Sequence, residues 1–140
     1  LSGDNKFTVS ESMRFSHKHD LLAHSTKILL DKGKVYKDIV ISPPNIPVAN
    51  TAETGCDEFD KHYSIWCQDS DYLHAIITGE VRDCLLCNPD WRVELGGSRI
   101  KIDKGRKLEI DEIKNGIEFI CQLGDLIPDP VELDEDAKAT

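Results

Sequence analysis

The stretch from Asp57 to Ile102, DEFDKHYSIWCQDSDYLHAIITGEVRDCLLCNPDWRVELGGSRIKI, constrains the fold more than any other part of the chain. Its first part alternates at period two, its middle repeats apolar residues at helical spacing, and its end alternates again around Gly96-Gly97. Such a run predicts a β-α-β-β unit. A chain organised around it predicts a two-layer α+β domain, a mainly antiparallel sheet with helices packed on one face. With 140 residues, one domain of this kind can bury roughly two thirds of its unfolded surface without staples.

Within the stretch, Tyr63, Ile65 and Cys67 alternate with His62, Ser64 and Trp66, so large side chains point both ways and a central strand is expected. Asp69 or Ser70 can cap a following helix whose apolar stripe is Tyr72, Leu73, Ile76 and Ile77. Gly79 weakens a helix interior by about 1 kcal/mol, while Thr78 is a good N-cap with Glu80 just inside. Two short helices, or one kinked helix, follow from that pair. The second buries Val81, Cys84, Leu85 and Leu86 and stops at Asn88-Pro89. Trp91, Val93, Leu95, Ile100 and Ile102 share one face of a hairpin turning at Gly96-Gly97.

Outside the stretch, KILLD and KVYKDIVIS flank Lys32-Gly33, which predicts a tight hairpin. The first 25 residues read as irregular, with at most a short strand on the even spacing of Phe7, Val9, Met13 and Phe15. Prolines 43, 44 and 47 make residues 42–55 a linker or an edge-crossing loop. A last helix begins near Ile110, aligns Ile113, Ile117, Ile120, Cys121 and either Leu123 or Gly124, and ends by Pro128. The domain therefore covers residues 1–127. Residues 128–140 are acidic and poor in aromatics, the composition of a disordered tail.

The formal charge is −9, and after Gly124 six acids stand against Lys138 alone. Phosphate backbones are repelled by that balance, and the remaining bases are interspersed with acids, so no nucleic acid is expected as a partner. No apolar run reaches the ~18 residues that span a bilayer. Five cysteines, an odd number without the density of a disulfide scaffold, point to a reducing compartment such as the cytoplasm. The chain opens on Leu1, with no basic-then-apolar leader, which suggests a piece of a longer protein.

Cys84-Leu-Leu-Cys87 is the one CxxC. A zinc site needs four ligands and no second pair exists, so no metal site is expected; Cys84 and Cys87 are the weak candidates, and their spacing beside Leu85 and Leu86 favours a buried helix stripe over a metal or redox pair. A redox pair wants the thiols at a helix start, where amides and dipole lower the thiol pKa, and this pair sits near a helix end. His17, His19 and His24 lack a carboxylate ligand set. His62 and His74 stand in separate elements. Asp57, Glu58 and Asp60, then Asp69 and Asp71, bracket the expected central strand but lack the turn glycine of a calcium loop, and loop solubility and helix capping explain them. No GxGxxG, P-loop, GxSxG or HExxH occurs. No cofactor and no catalytic residue is expected.

The order Glu58-Phe59-Asp60, then Tyr63 and Ile65, a short acidic turn, Ala75-Ile76-Ile77-Thr78-Gly79-Glu80-Val81-Arg82 and Leu85-Leu86, followed by an aromatic-led strand and a final helix, resembles a group of uncharacterised bacterial and archaeal proteins. They carry domains of unknown function, often a membrane anchor ahead of a soluble α+β domain. The resemblance spans residues 57–126, with Gly79 where a proline stands in that group. It implies a cytoplasmic-facing domain of a longer, in some cases membrane-attached, protein, and it supplies no catalytic residues. The expected function is a non-enzymatic interaction module with a protein partner. The alternatives are a thiol-based redox or metal sensor using Cys84 and Cys87, with Cys67 or Cys121 near them, and an enzyme using His62 or His74 beside a carboxylate.

Overall fold

The chain forms β1 (Lys6–Phe15), β2 (Leu21–Ser42), α1 (Asp57–His62), β3 (Ser64–Cys67), α2 (Ser70–Ile76), α3 (Gly79–Leu86), β4 (Arg92–Asp103) and α4 (Ile110–Leu126). This computed structural model describes residues 6–15, 21–44, 46 and 48–128. The α+β class holds, with the four strand runs in one antiparallel sheet.

Two of the runs double back. A straight strand spanning Arg92 to Asp103 would hold its ends about 36 Å apart, yet Arg92 Nε lies 3.0 Å from Asp103 Oδ1 and Lys101 Nζ lies 2.8 Å from Glu94 Oε2. Both contacts fit a hairpin whose arms, 92–96 and 98–103, meet at Gly97, where φ is +55° and glycine carries no steric penalty. The inward residues Trp91, Val93, Leu95, Ile100 and Ile102 are all buried. This is the expected Gly96-Gly97 hairpin.

The other expected hairpin is corrected. Residues 27–31 of β2 pair with 99–103, and residues 39–41 pair with 93–95. Because the two arms of β4 lie side by side, the two halves of β2 flank them instead of pairing with each other. The connection between these halves passes around the β4 tip, with Tyr36 opposite Gly97. Gly33 does turn the chain, at φ +66° with its N–H donated to the Asp31 carboxylate at 2.9 Å, but the turn opens a gap that β4 fills. β1 pairs along the outer edge of the first half of β2 and β3 along the outer edge of the second. The order across the sheet is β1, 21–31, 99–103, 92–95, 39–42, β3.

β3 is therefore an edge strand and not a central one. Its outer edge is covered by a loop: Ile65 N–H donates to Asn50 Oδ1 (3.0 Å), Cys67 N–H to Thr51 Oγ1 (3.1 Å), and the Ile65 carbonyl accepts from Thr51 N–H at 2.8 Å. Side chains on both faces had suggested an interior strand. Ile65 and Cys67 are in the core, however, while Trp66 is half-buried on the face without helices. The stretch before residue 25 is likewise more regular than expected, since β1 runs ten residues and β2 begins at Leu21.

Helices α2 and α3 are separate, as the Thr78-Gly79 pair predicts. Asp69 caps α2 by accepting from Tyr72 N–H at 3.0 Å, and Thr78 Oγ1 caps α3 by accepting from Val81 N–H at 3.3 Å. Helix α1 lies where only loop and capping acids were read. Phe59 anchors it in the core, and the Asp60 carboxylate accepts from Thr54 N–H, Thr54 Oγ1 and Gly55 N–H at 2.8–3.0 Å.

Helix α4 lies on the sheet through Gly116, Phe119, Ile120, Leu123 and Gly124, while Ile113, Ile117 and Cys121 are only half-buried. The stripe is rotated from the expected one because the two glycines let the helix approach closely. A Cβ on Gly116 would lie 2.5 Å from Ile28 Cδ1 and 2.8 Å from Trp91 Cη2. Full burial of Phe119, Ile120 and Leu123 contributes about 1.5–3 kcal/mol each. Among the described residues no helix is long and apolar enough to cross a membrane. The tail from residue 129 and His17 and His19 lie outside the described residues.

Candidate functional site

The face of the sheet opposite the helices forms an ordered grid of side chains. Strand register and hairpin pairing place Asp38, Gly96, Arg99 and Asp31 in a row nearest the β4 tip, and Trp66, Val40, Glu94, Lys101 and Leu29 in the next. A third row holds Ser64, Ser42, Arg92, Asp103 and Lys27. At that end Ser42 Oγ donates to the Ile46 carbonyl, and the Ile46 side chain stands next to Gly105, so the third row is partly closed by its flanking loops.

The first two rows, apart from Asp31, line an open groove of about 670 Å³. Trp66, Val40 and Leu29 are half-buried there and supply its apolar surface. Glu94 is held from two sides, by Lys101 at 2.8 Å and by Arg92 Nη2 at 3.4 Å. Arg92 also grips the buried Asp103 carboxylate with Nε at 3.0 Å and Nη2 at 3.3 Å, and Gly105 N–H donates to the same carboxylate at 3.1 Å. Among the described residues, Asp38 and Arg99 form no ion pair, and both are exposed. Beside the groove, Lys37 Nζ lies 2.9 Å from Asp69, which pulls that carboxyl below its ordinary value. The groove thus offers Trp66 with Val40 on one side and Leu29 on the other, separated by the Glu94–Lys101 pair and flanked by Asp38 and Arg99, apolar and charged groups of both signs on one surface.

The residues singled out from sequence fall elsewhere. Cys84 is buried at 5% exposure, and burial, then the neighbouring Cys87, pushes its thiol pKa up. Cys87 is exposed at the C-cap of α3, on the rim of a second groove shared with Trp91, Lys104 and Glu112. Cys67 is buried and donates to the Asp69 carbonyl at 3.3 Å, and burial raises its pKa as well. Among the described residues, all five cysteines are free thiols and no three His, Cys, Asp or Glu side chains converge as a metal cage.

His62 Nε2 is 3.2 Å from the Pro89 carbonyl and His74 Nε2 is 3.1 Å from the Glu53 carbonyl. Both rings tie loops to helices, and among the described residues neither is paired with a carboxylate. Of the acids, Asp69 caps α2, while Asp60, inside α1, binds the loop at Thr54 and Gly55. Sequence reading missed the groove because its residues come from three separate strand runs. The available signal was parity: Leu29, Val40 and Trp66 are apolar at positions that alternate out of the core.

The chain matches no family model, no curated protein and no solved structure. Its functional reading rests on the geometry above.

Proposed function

We propose that the chain is a non-enzymatic interaction module, the soluble part of a larger and in some settings membrane-associated protein, which binds a protein partner through the uncovered face of its sheet. The observation that carries this reading is Trp66, half-buried on that face beside Val40, with Asp38, Glu94 and Lys101 lining the same groove. A large aromatic in partly desolvated surroundings with polar residues around it is the usual anatomy of a binding hot spot. Its location on a sheet held by helices on the other side keeps it rigid, so little ordering entropy is lost on binding.

Quantitative affinity capture with three baits tests the reading: wild type, Trp66→Ala on the groove face, and Glu118→Lys on the helical layer. A partner enriched by wild type and Glu118→Lys but lost at least tenfold with Trp66→Ala is the expected result. Equal recovery with all three baits would sink it. A thiol sensor built on Cys84 and Cys87 is the weaker reading, since a buried thiol with a raised pKa reacts slowly.

A further inference from the structure

The row nearest the β4 tip is complementary in charge to its own image under a two-fold rotation. Taking the 92–96 arm as the axis, Asp38 stands one strand away on one side and Arg99 one strand away on the other, with Gly96 between them. In the next row Trp66 stands two strands away on one side and Leu29 two strands away on the other. A second copy laid face to face about that axis therefore sets Asp38 against its Arg99, Arg99 against its Asp38, and Trp66 against its Leu29. The two charges that form no ion pair among the described residues gain one, Trp66 is covered by Leu29, and Val40 meets the alkyl stem of Lys101. Glu94 lies on the axis and faces its own counterpart, a like-charge contact that Lys101 at 2.8 Å and Arg92 at 3.4 Å offset within each copy.

Charge distribution selects the same face. Helices α1 to α4 carry three, one, two and four acids against three bases in total, so two helical layers repel each other. The first two rows of the groove face hold three acids and two bases. We propose that the chain forms a homodimer through this face, with Asp38 and Arg99 as reciprocal ion pairs and Trp66 packed on Leu29 of the other copy. The proposal rests on reading the chain as an interaction module and names a second copy as its partner. Two such patches bury on the order of 1,000 Å² in total, the size of a weak, reversible association.

Sedimentation velocity over a dilution series, down to about 1 μM and up to several hundred μM, reads the equilibrium directly. Wild type is expected to shift from monomer to dimer across the series. Asp38→Arg alone and Arg99→Asp alone each put like charges together and should weaken the dimer at least tenfold. The double variant carrying both changes restores two attractive pairs and should recover most of the affinity, a rescue that misfolding or general charge change would not produce. Trp66→Ser should weaken association without changing its charge dependence. Wild type that stays monomeric throughout, or a dimer indifferent to both single reversals, overturns the proposal. A monomeric wild type that still loses a captured partner on Trp66→Ala sinks the dimer but keeps the interaction module, so the two failures are distinguishable.

Discussion

Gly116 decides how near α4 can come to the sheet, and its missing side chain is filled by Ile28 and Trp91. Alanine is normally favoured over glycine within a helix by about 1 kcal/mol, but here its Cβ would press on two core side chains. Overpacking of that kind costs about 1–3 kcal/mol. We therefore expect Gly116→Ala to lower stability in urea titration, whereas Gly79→Ala, whose Cβ would meet only Arg82 at 3.6 Å, should be neutral or mildly stabilising. A more stable Gly116→Ala variant would show that the helix rides higher than described. Thiol chemistry separates the CxxC pair in the same way: Cys87 is expected to label quickly under native conditions and Cys84 only at the rate of local opening, by mass spectrometry of trapped peptides. Equal fast labelling of both would revive the sensor. The sequence already favoured a core role for this motif, because leucines fill its two intervening positions. It gave no hint about Gly116, since apolar counting assigns no weight to an absent side chain.

At the scale of elements, caps and turns were largely legible, because they depend on neighbours within four residues. Thr78 and Asp69 act where their residue types predict, and the expected Gly96-Gly97 turn falls one residue on, with Gly96 in the arm and the chain turning at Gly97. The start of α4 is fixed by a reciprocal capping box between Glu109 and Glu112, and Arg106 reinforces it with Nη1 at 2.8 Å from Glu112 Oε1. The Arg106 hydrogen bond, with the Glu109 N–H next, holds the Glu112 carboxyl down to about 2, against an ordinary 4.5. A carboxyl depressed in the folded state stabilises fully above its unfolded value and loses that contribution as pH falls through the folded value. Acid unfolding curves should therefore steepen between about pH 4.5 and 2, and Glu112→Gln should remove that part of the slope while lowering stability at neutral pH. Parallel acid curves for the two proteins would mean that the contact is broken in solution. Helix α1 escaped the sequence reading because six residues with one buried Phe59 form no stripe. Tertiary anchoring makes it a helix.

For the whole molecule, the class was legible but the strand order was not, because each β run states its own turn and face while saying nothing about which strand occupies a gap. Lys32-Gly33 looks like a tight hairpin on local grounds, and the long β4 hairpin intervenes. Hydrogen exchange distinguishes the two arrangements. In the nested order the amides of Val93, Leu95, Ile100 and Ile102 lie in interior arms, with strands on both sides and α4 above, so they should exchange only through near-global opening. Ile65 and Cys67 of β3 instead donate to side chains of a loop, Asn50 and Thr51, and should open locally with a much smaller free energy. Asn50→Ala is then expected to accelerate exchange at Ile65 by about tenfold, since a lost hydrogen bond contributes about 0.5–1.5 kcal/mol, and to leave the four β4 amides unchanged. Were β3 central and the halves of β2 joined as a tight hairpin, Ile65 would be among the slowest amides and insensitive to Asn50. That outcome would overturn the nested sheet, and with it the groove that places Asp38, Arg99, Trp66 and Leu29 about a common axis.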